Sequence, residues 1–314
     1  MSMEAIRAVG LSKAFDGKTA VDNLNLSVKE GEVYGLVGPD GAGKTTIMRL
    51  LAGVMQPSAG DAWVNGNNTI GDSRELKKQI SYMPQRFGLY SDLTVQENID
   101  FYADLYNVPQ KIRERKISEL LNFSNMEPFK DRQAGKLSGG MKQKLALACA
   151  LVHTPKVLLL DEPTNGVDPL SRRDFWKILY KLLEEGVTIF VSTAYLDEAE
   201  RCTQVGLLHQ GKLIVSGTPD EVKNQMRGVL VEVLCKEPRK VMDALAYRLR
   251  PLSAGLFGAK IHLLLKGAET DALRAVRNSL RDMAVDAEAE IVLPSLEDVF
   301  ISISMPQEGS GRHG

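Results

Sequence analysis

Eight consecutive residues, Gly38-Pro39-Asp40-Gly41-Ala42-Gly43-Lys44-Thr45, constrain this chain more than any other stretch. They fit G-x-x-x-x-G-K-S/T in full, a spacing that suits a loop wrapped around a phosphate. Glycines let the backbone curl tightly, so that several N–H groups face one anion. Lys44 can then reach the β- and γ-phosphates and the Thr45 hydroxyl can hold Mg²⁺, with Thr46 beside it in the nucleotide-binding set. The flanks agree. Val33–Val37 reads as a buried strand and Thr45–Ala52 as a helix closed by Gly53. The anion therefore falls at a helix N-terminus, where free N–H groups and the dipole favour it. The competing reading is a glycine-rich turn that fits the pattern by accident, and the flanking strand and helix weigh against it.

Alternation continues to about Lys223. Strands are expected at Val157–Leu160 and Val187–Ser192, and helices at Thr94–Tyr106, Gly140–Val152 and Ser171–Glu185. That order predicts an α/β core with a largely parallel sheet. Residues 4–29 read as antiparallel strands turning at Asp16-Gly17, and residues 207–215 as a hairpin turning at Gln210-Gly211. After Gly228 the order becomes βαββαβ, which predicts a small ferredoxin-like α+β domain, followed by a short helix at Ser295–Ser302. The expected division is 1–225, 228–305 and a disordered polar tail at 306–314.

Val157-Leu158-Leu159-Leu160-Asp161-Glu162-Pro163 is an apolar strand ending in two carboxylates. Such a strand delivers its last residues to the edge of a parallel sheet where ligands bind. Asp161 is placed to hold Mg²⁺, and Glu162, one residue on, to polarise a water facing the γ-phosphate. Alone, the pair also fits an acidic strand end facing solvent. Beside a complete phosphate loop that alternative is minor.

Between the two motifs lies Leu137-Ser138-Gly139-Gly140-Met141-Lys142-Gln143. With this third element, roughly the first 220 residues resemble an ATP-binding cassette, the nucleotide-binding subunit of an ABC transporter. The resemblance implies a P-loop NTPase fold with an antiparallel β subdomain and a helical signature subdomain. It also implies that ATP and Mg²⁺ are bound and that ATP is hydrolysed. Ser138, Gly139 and Gly140 stand at a helix start and form a second anion site. Two subunits packed head to tail would hold each ATP between the phosphate loop of one and the signature of the other. An ordinary serine-capped helix accounts for Ser138 equally well.

The resemblance carries further residues. Phe15 matches the aromatic that stacks on adenine, although a core phenylalanine fits its position as well. Gln85 matches the glutamine that touches Mg²⁺ and the attacking water, which gives Glu162, Lys44 and Gln85 as catalytic residues and Thr45, Gln85 and Asp161 as metal ligands. Residues 86–92, with Phe87, Leu89 and Tyr90, would face a membrane partner or pack as local core. Asp168 matches the loop that meets the opposite subunit, and also fits a helix N-cap.

Two positions depart from the pattern. Ala194 stands where the family carries a histidine that contacts the γ-phosphate and braces Glu162. Loss of one such contact commonly slows a reaction by about 10²–10³. Either turnover is slow, or another group or a water replaces the contact; Thr193 and Tyr195 are neighbours with hydroxyls. Asp40 replaces an asparagine and adds negative charge near the phosphates.

The ending Pro294-Ser295-Leu296-Glu297-Asp298-Val299-Phe300-Ile301 resembles that of exporter ATPases which serve a separately encoded permease for drugs and antibiotics. Leu296, Val299 and Phe300 also suit docking of a last helix on the small sheet. The implied partners are an integral-membrane permease and a second ATPase subunit, with no nucleic acid; net charge is −1, and the basic run Lys111–Lys116 is broken by Glu114. No apolar run reaches the roughly 18–20 residues of a membrane span. Cys149, Cys202 and Cys235 lack paired or zinc-like spacing and read as buried thiols. Together these place the chain in the cytoplasm, peripheral on the inner face of the membrane through the permease. The competing class is an ATP-binding regulatory or soluble protein with little hydrolysis.

Overall fold

The computed structural model describes residues 3–71, 73–86 and 88–304. Contacts divide the chain into two units, Met1–Ser216 and Gly217–Gly314. The expected tail at 306–314 and the expected contact residue Phe87 lie outside the described residues.

In the first unit, β1 (Glu4–Phe15) and β2 (Lys18–Lys29) form an antiparallel hairpin whose turn residues Asp16 and Gly17 have φ of 45° and 79°. Its left-handed pair matches the twist of the flanking strands. β4 (Ala59–Val64) adds to β1 and β5 (Asn67–Asn68) to β4, giving the sheet order β2-β1-β4-β5. A second sheet contains β3 (Val33–Val37), β6 (Ile80–Met83), β7 (Val157–Asp161), β8 (Thr188–Thr193), β9 (Gln204–His209) and β10 (Lys212–Gly217). Its order is β10-β9-β3-β8-β7-β6, with β9, β3, β8, β7 and β6 mutually parallel. Every residue of β3 and β7 is buried, as strands covered on both faces require.

Helix α1 (Lys44–Leu51) follows β3 and packs between the two sheets. Its Ile47, Met48, Leu50 and Leu51 share one core with Ile6, Leu24 and Val64 of the antiparallel sheet and Leu159 and Phe190 of the parallel one. The phosphate-type loop is thus anchored at both ends in the core. Beyond it come α2 (Ser73–Gln79), α3 (Val95–Leu105), α4 (Gln110–Phe123), α5 (Gly139–Leu151), α6 (Pro169–Glu184) and α7 (Leu196–Ala199). Helix α4 was visible in the sequence only as a charged run, because it buries just Ile117, Leu120 and Leu121. Strands β4 and β6 were not foreseen.

The second unit opens with α8 (Pro219–Lys223) and has a four-stranded sheet of β11 (Val229–Cys235), β12 (Ser253–Phe257), β13 (Lys260–Leu265) and β14 (Ala287–Ile291). The order is β12-β13-β11-β14, with every neighbouring pair antiparallel. Helices α9 (Pro238–Leu249) and α10 (Glu269–Asp282) cover one face, where Val231, Val233, Ile261 and Leu263 meet Leu245, Val276 and Leu280. This is the βαββαβ order read from the sequence. Helix α11 (Leu296–Ser304) follows, with Leu296 and Val299 buried. Cys149 and Cys202 are buried, whereas Cys235, expected to be, is only half-buried. Among the described residues no helix is long and apolar enough to cross a membrane.

Candidate active site

The loop between β3 and α1 is held against neighbouring backbone. A Cβ on Gly38 would lie 2.3 Å from the Leu208 carbonyl oxygen, and one on Gly43 would lie 2.4 Å from that of Ala20. Gly43 also has φ of 108°, so no other residue fits there without moving β2. Lys44 is buried, and its ammonium donates to the carbonyls of Gly38 (2.7 Å) and Pro39 (3.1 Å). It lies 3.0 Å from Glu162 Oε1, so all three of its donors are occupied.

The strand end of β7 brings the second motif to the same place. Asp161 Oδ1 accepts from Ser192 Oγ (2.7 Å) and from Thr45 Oγ1 (3.2 Å). The Tyr82 hydroxyl donates to its Oδ2 at 3.5 Å, and burial, reinforced by the Asp161 charge, pushes that phenol up to about 12. Glu162 sits at φ of 49°, a left-handed conformation sparsely used by residues with side chains. Its N–H is fixed by the Ser192 carbonyl and hydroxyl, both at 3.1 Å. Backbone held in this way clusters at sites of function. The carboxylate is shared: Lys44 faces Oε1, while Gln85 Nε2 (2.9 Å) and Asn165 Nδ2 (3.1 Å) donate to Oε2. Lys44, Thr45, Gln85, Asp161 and Glu162, foreseen as the chemical set, are therefore one connected cluster. The oxygens of Thr45 and Asp161 suit a hard divalent cation.

The hydroxyl next to Ala194 is engaged elsewhere. The Thr193 hydroxyl donates to Glu198 Oε2 (2.7 Å) and accepts from the Tyr195 N–H (3.0 Å), so it does not replace a histidine at Glu162. The Tyr195 ring lies 4.0 Å beneath the Arg172 guanidinium. A cavity of about 130 Å³ remains between Asp40, Glu162, Thr164, Asn165 and residues 193–195. Asp40, with its extra charge, thus lines the same cavity as Glu162.

Ser138 caps α5, its Oγ accepting from the Met141 N–H at 3.3 Å, and Ser138 and Gly139 are exposed. Gly140 is buried against α6, where a Cβ would lie 2.5 Å from Ser171 Cβ. Asp168 caps α6 by accepting from the Ser171 N–H at 2.9 Å, and that backbone bond holds its carboxyl below the usual range. Both helix-cap readings hold within the chain.

Phe15 is not a core residue. It is 43% exposed at the end of β1, with the Lys13 ammonium 5.2 Å from its ring centroid. Ala20, further along the same hairpin, touches the phosphate-type loop at Gly43. Beyond Gln85, a cavity of about 310 Å³ is lined by Arg86, Leu89, Ser91, Lys142 and Gln143 among others. Tyr90 is exposed and meets Phe101 edge-on at 4.6 Å. Buried Asn98 shapes this segment, accepting from the Tyr90 N–H (2.9 Å) and donating to the carbonyls of Tyr90 (3.0 Å) and Thr94 (2.8 Å). Asn98, Ser192 and Asn165 were missed by the sequence reading. For Asn98 a signal existed in the capping box Thr94-x-x-Glu97, which fixes the start of α3.

A protein-family comparison matches residues 21–165 to the family described as "ABC transporter". The chain is 45% identical over 309 residues to the "Probable multidrug ABC transporter ATP-binding protein YbhF" of Escherichia coli K12, covering 96% of this chain and 52% of that protein. It therefore spans about half the length of that relative. It is 34% identical over 307 residues to the daunorubicin resistance ATP-binding protein DrrA2 of Streptomyces coeruleorubidus, covering 96% of this chain and 95% of that one. Among solved structures, a dimeric ATP-binding cassette in a post-hydrolysis state with ADP and Pi superposes with a TM-score of 0.62 at 27% identity. That match covers 68% of this chain and 98% of the cassette.

Proposed function

The chain belongs to the family of ABC transporter ATP-binding proteins, and from that membership we propose that it hydrolyses ATP to drive a separately encoded membrane permease. The cargo class is a drug-like or other small molecule moved outward, the class suggested by relatives named for multidrug and daunorubicin resistance. The observation that carries this reading is the Lys44–Glu162–Gln85 cluster at the end of β7, with Thr45 and Asp161 beside it.

In this reading backbone N–H groups between Asp40 and Thr46 and the Lys44 ammonium bind the phosphates, and Phe15 stacks on adenine. Thr45, Asp161 and Gln85 would hold Mg²⁺, whose charge offsets that of the phosphate oxygens when bound. Once phosphate draws Lys44 away, Glu162 orients the attacking water and takes its proton. Ser138, Gly139 and Gly140 complete the site of a second ATPase subunit, so that ATP closes the pair and hydrolysis releases it. The cavity beyond Gln85 receives the permease, which tethers the chain to the membrane.

Ala194 supplies no donor, so turnover is slow. Alanine at 194 also supports a second reading, in which the chain binds ATP as a switch and scarcely hydrolyses it. Purification of the tagged chain from membranes tests the proposal. Recovery of a polytopic membrane protein, with hydrolysis lost in Glu162→Gln, is expected. Recovery of ribosomes or DNA instead would contradict it.

A further inference from the structure

We infer that Asn165 is a positioning residue for Glu162, bracing its carboxylate where Ala194 offers no donor; this rests on the hydrolytic reading above. Three side chains reach the Glu162 carboxylate, and they divide its two oxygens unequally. Gln85 Nε2 and Asn165 Nδ2 both donate to Oε2, at 2.9 and 3.1 Å, whereas Oε1 faces Lys44 at 3.0 Å. Two amide donors fill the lone pairs of Oε2. Lys44 is the group that phosphate recruits, so nucleotide frees Oε1 and leaves Oε2 held. Oε1 is then the oxygen that takes the proton from water, and Asn165 fixes the direction in which it points.

The backbone favours this role. Glu162 and Asn165 are bridged by a main-chain bond from the Asn165 N–H to the Glu162 carbonyl at 3.2 Å. The left-handed φ of Glu162 folds its side chain and that of Asn165 to the same side of this turn. Asn165 also lines the cavity that borders Ala194, so it approaches Glu162 across the space next to the missing histidine. Of the hydroxyls nearby, that of Thr193 is committed to Glu198, as is that of Thr164.

The test is steady-state ATP hydrolysis by the full chain as a function of ATP concentration, for Asn165→Ala and Asn165→Asp. Loss of a hydrogen bond to a charged group predicts a fall in kcat of about tenfold or more for Asn165→Ala. KM for ATP is expected to stay within about twofold, since the side chain of Asn165 bonds to Glu162 rather than to the phosphate loop. Asn165→Asp keeps the volume of the side chain but places a second carboxylate beside Glu162, and is expected to be slower still. Ala194→His is expected to raise kcat by a larger factor in Asn165→Ala than in the parent, because it restores a brace. Parental kcat in both Asn165 variants, or a loss that appears in KM rather than kcat, would overturn the inference while leaving the hydrolytic reading intact. A parent chain with no turnover alone or with its partners would overturn the hydrolytic reading, and this inference with it.

Discussion

The Lys44 ammonium lies 3.0 Å from Glu162 Oε1, joining a loop in the first fifty residues to a strand end more than a hundred residues later. Both groups are buried, so each offsets the charge of the other. Removing one partner of such a pair strands the other, at a cost of about 3–5 kcal/mol. Lys44→Met is therefore expected to lower unfolding free energy by about that amount. Lys44→Met with Glu162→Gln is expected to recover most of it. Urea unfolding of both variants checks this, and additive losses would show that the two charges are not coupled.

Ala194 is expected to limit the rate. Ala194→His places a donor beside the cavity that Glu162 shares, and is expected to raise kcat about tenfold or more. A variant that binds ATP normally and turns over no faster would show that Ala194 is not limiting.

Gly140→Ala is expected to separate binding from pairing. The added Cβ meets Ser171 Cβ at 2.5 Å, so the start of α5 must move away from α6. ATP binding by the single chain is expected to persist, whereas ATP-dependent dimerisation in a Glu162→Gln background is expected to fall sharply. Equilibrium dialysis and light scattering measure the two. Unchanged dimerisation would remove the signature helix from the interface.

Phe15→Ala is expected to weaken ATP binding by up to about tenfold, the range of an aromatic stacking contact. Stability is expected to change little, because the ring is exposed. A melting temperature that falls with unchanged affinity would return Phe15 to a structural role.

The second unit carries a pH dependence of its own. His262 Nδ1 lies 2.6 Å from Asp298 Oδ1 and its Nε2 lies 2.9 Å from Glu232 Oε2, while Lys260 meets the other Glu232 oxygen at 2.8 Å. Burial disfavours a charged imidazole, but bonds to Asp298 and Glu232 outweigh it and raise the His262 pKa. Burial likewise opposes the charge of Asp298, yet the bonds from His262 and Ser295 hold that carboxyl below its usual range. The raised histidine contributes stability that is complete below its ordinary value, about 6.5, and is lost as pH rises through its folded value. The lowered carboxylate contributes stability present above its ordinary value, about 4, and lost as pH falls through its folded value. Attachment of α11 is thus expected to be firmest between these limits and to loosen in alkali. Hydrogen exchange over 296–304 measures it, and His262→Gln is expected to abolish the alkaline change.

How much of this was legible beforehand depended on where each constraint lives. Gly38, Gly43, Lys44 and Thr45 were readable because the backbone geometry around a phosphate admits few residue types. Asp161 and Glu162 were readable because a short apolar run fixes where a parallel strand ends. Asn165 was not, since its reach to Glu162 depends on the left-handed turn at Glu162, which no periodicity reveals. Helix α4 escaped because three buried residues make too faint a stripe, and Phe15 was ambiguous until the hairpin left its ring exposed. Ala194 was visible as a departure, but only the bond from Thr193 to Glu198 shows that this neighbouring hydroxyl does not compensate.

Steady-state ATP hydrolysis by the purified chain, beside Glu162→Gln, tests the central claim most directly. The account predicts slow Mg²⁺-dependent turnover in the parent and none in the variant, with ATP binding retained in both. Turnover that survives Glu162→Gln would contradict the assignment of Glu162 as the group that activates water.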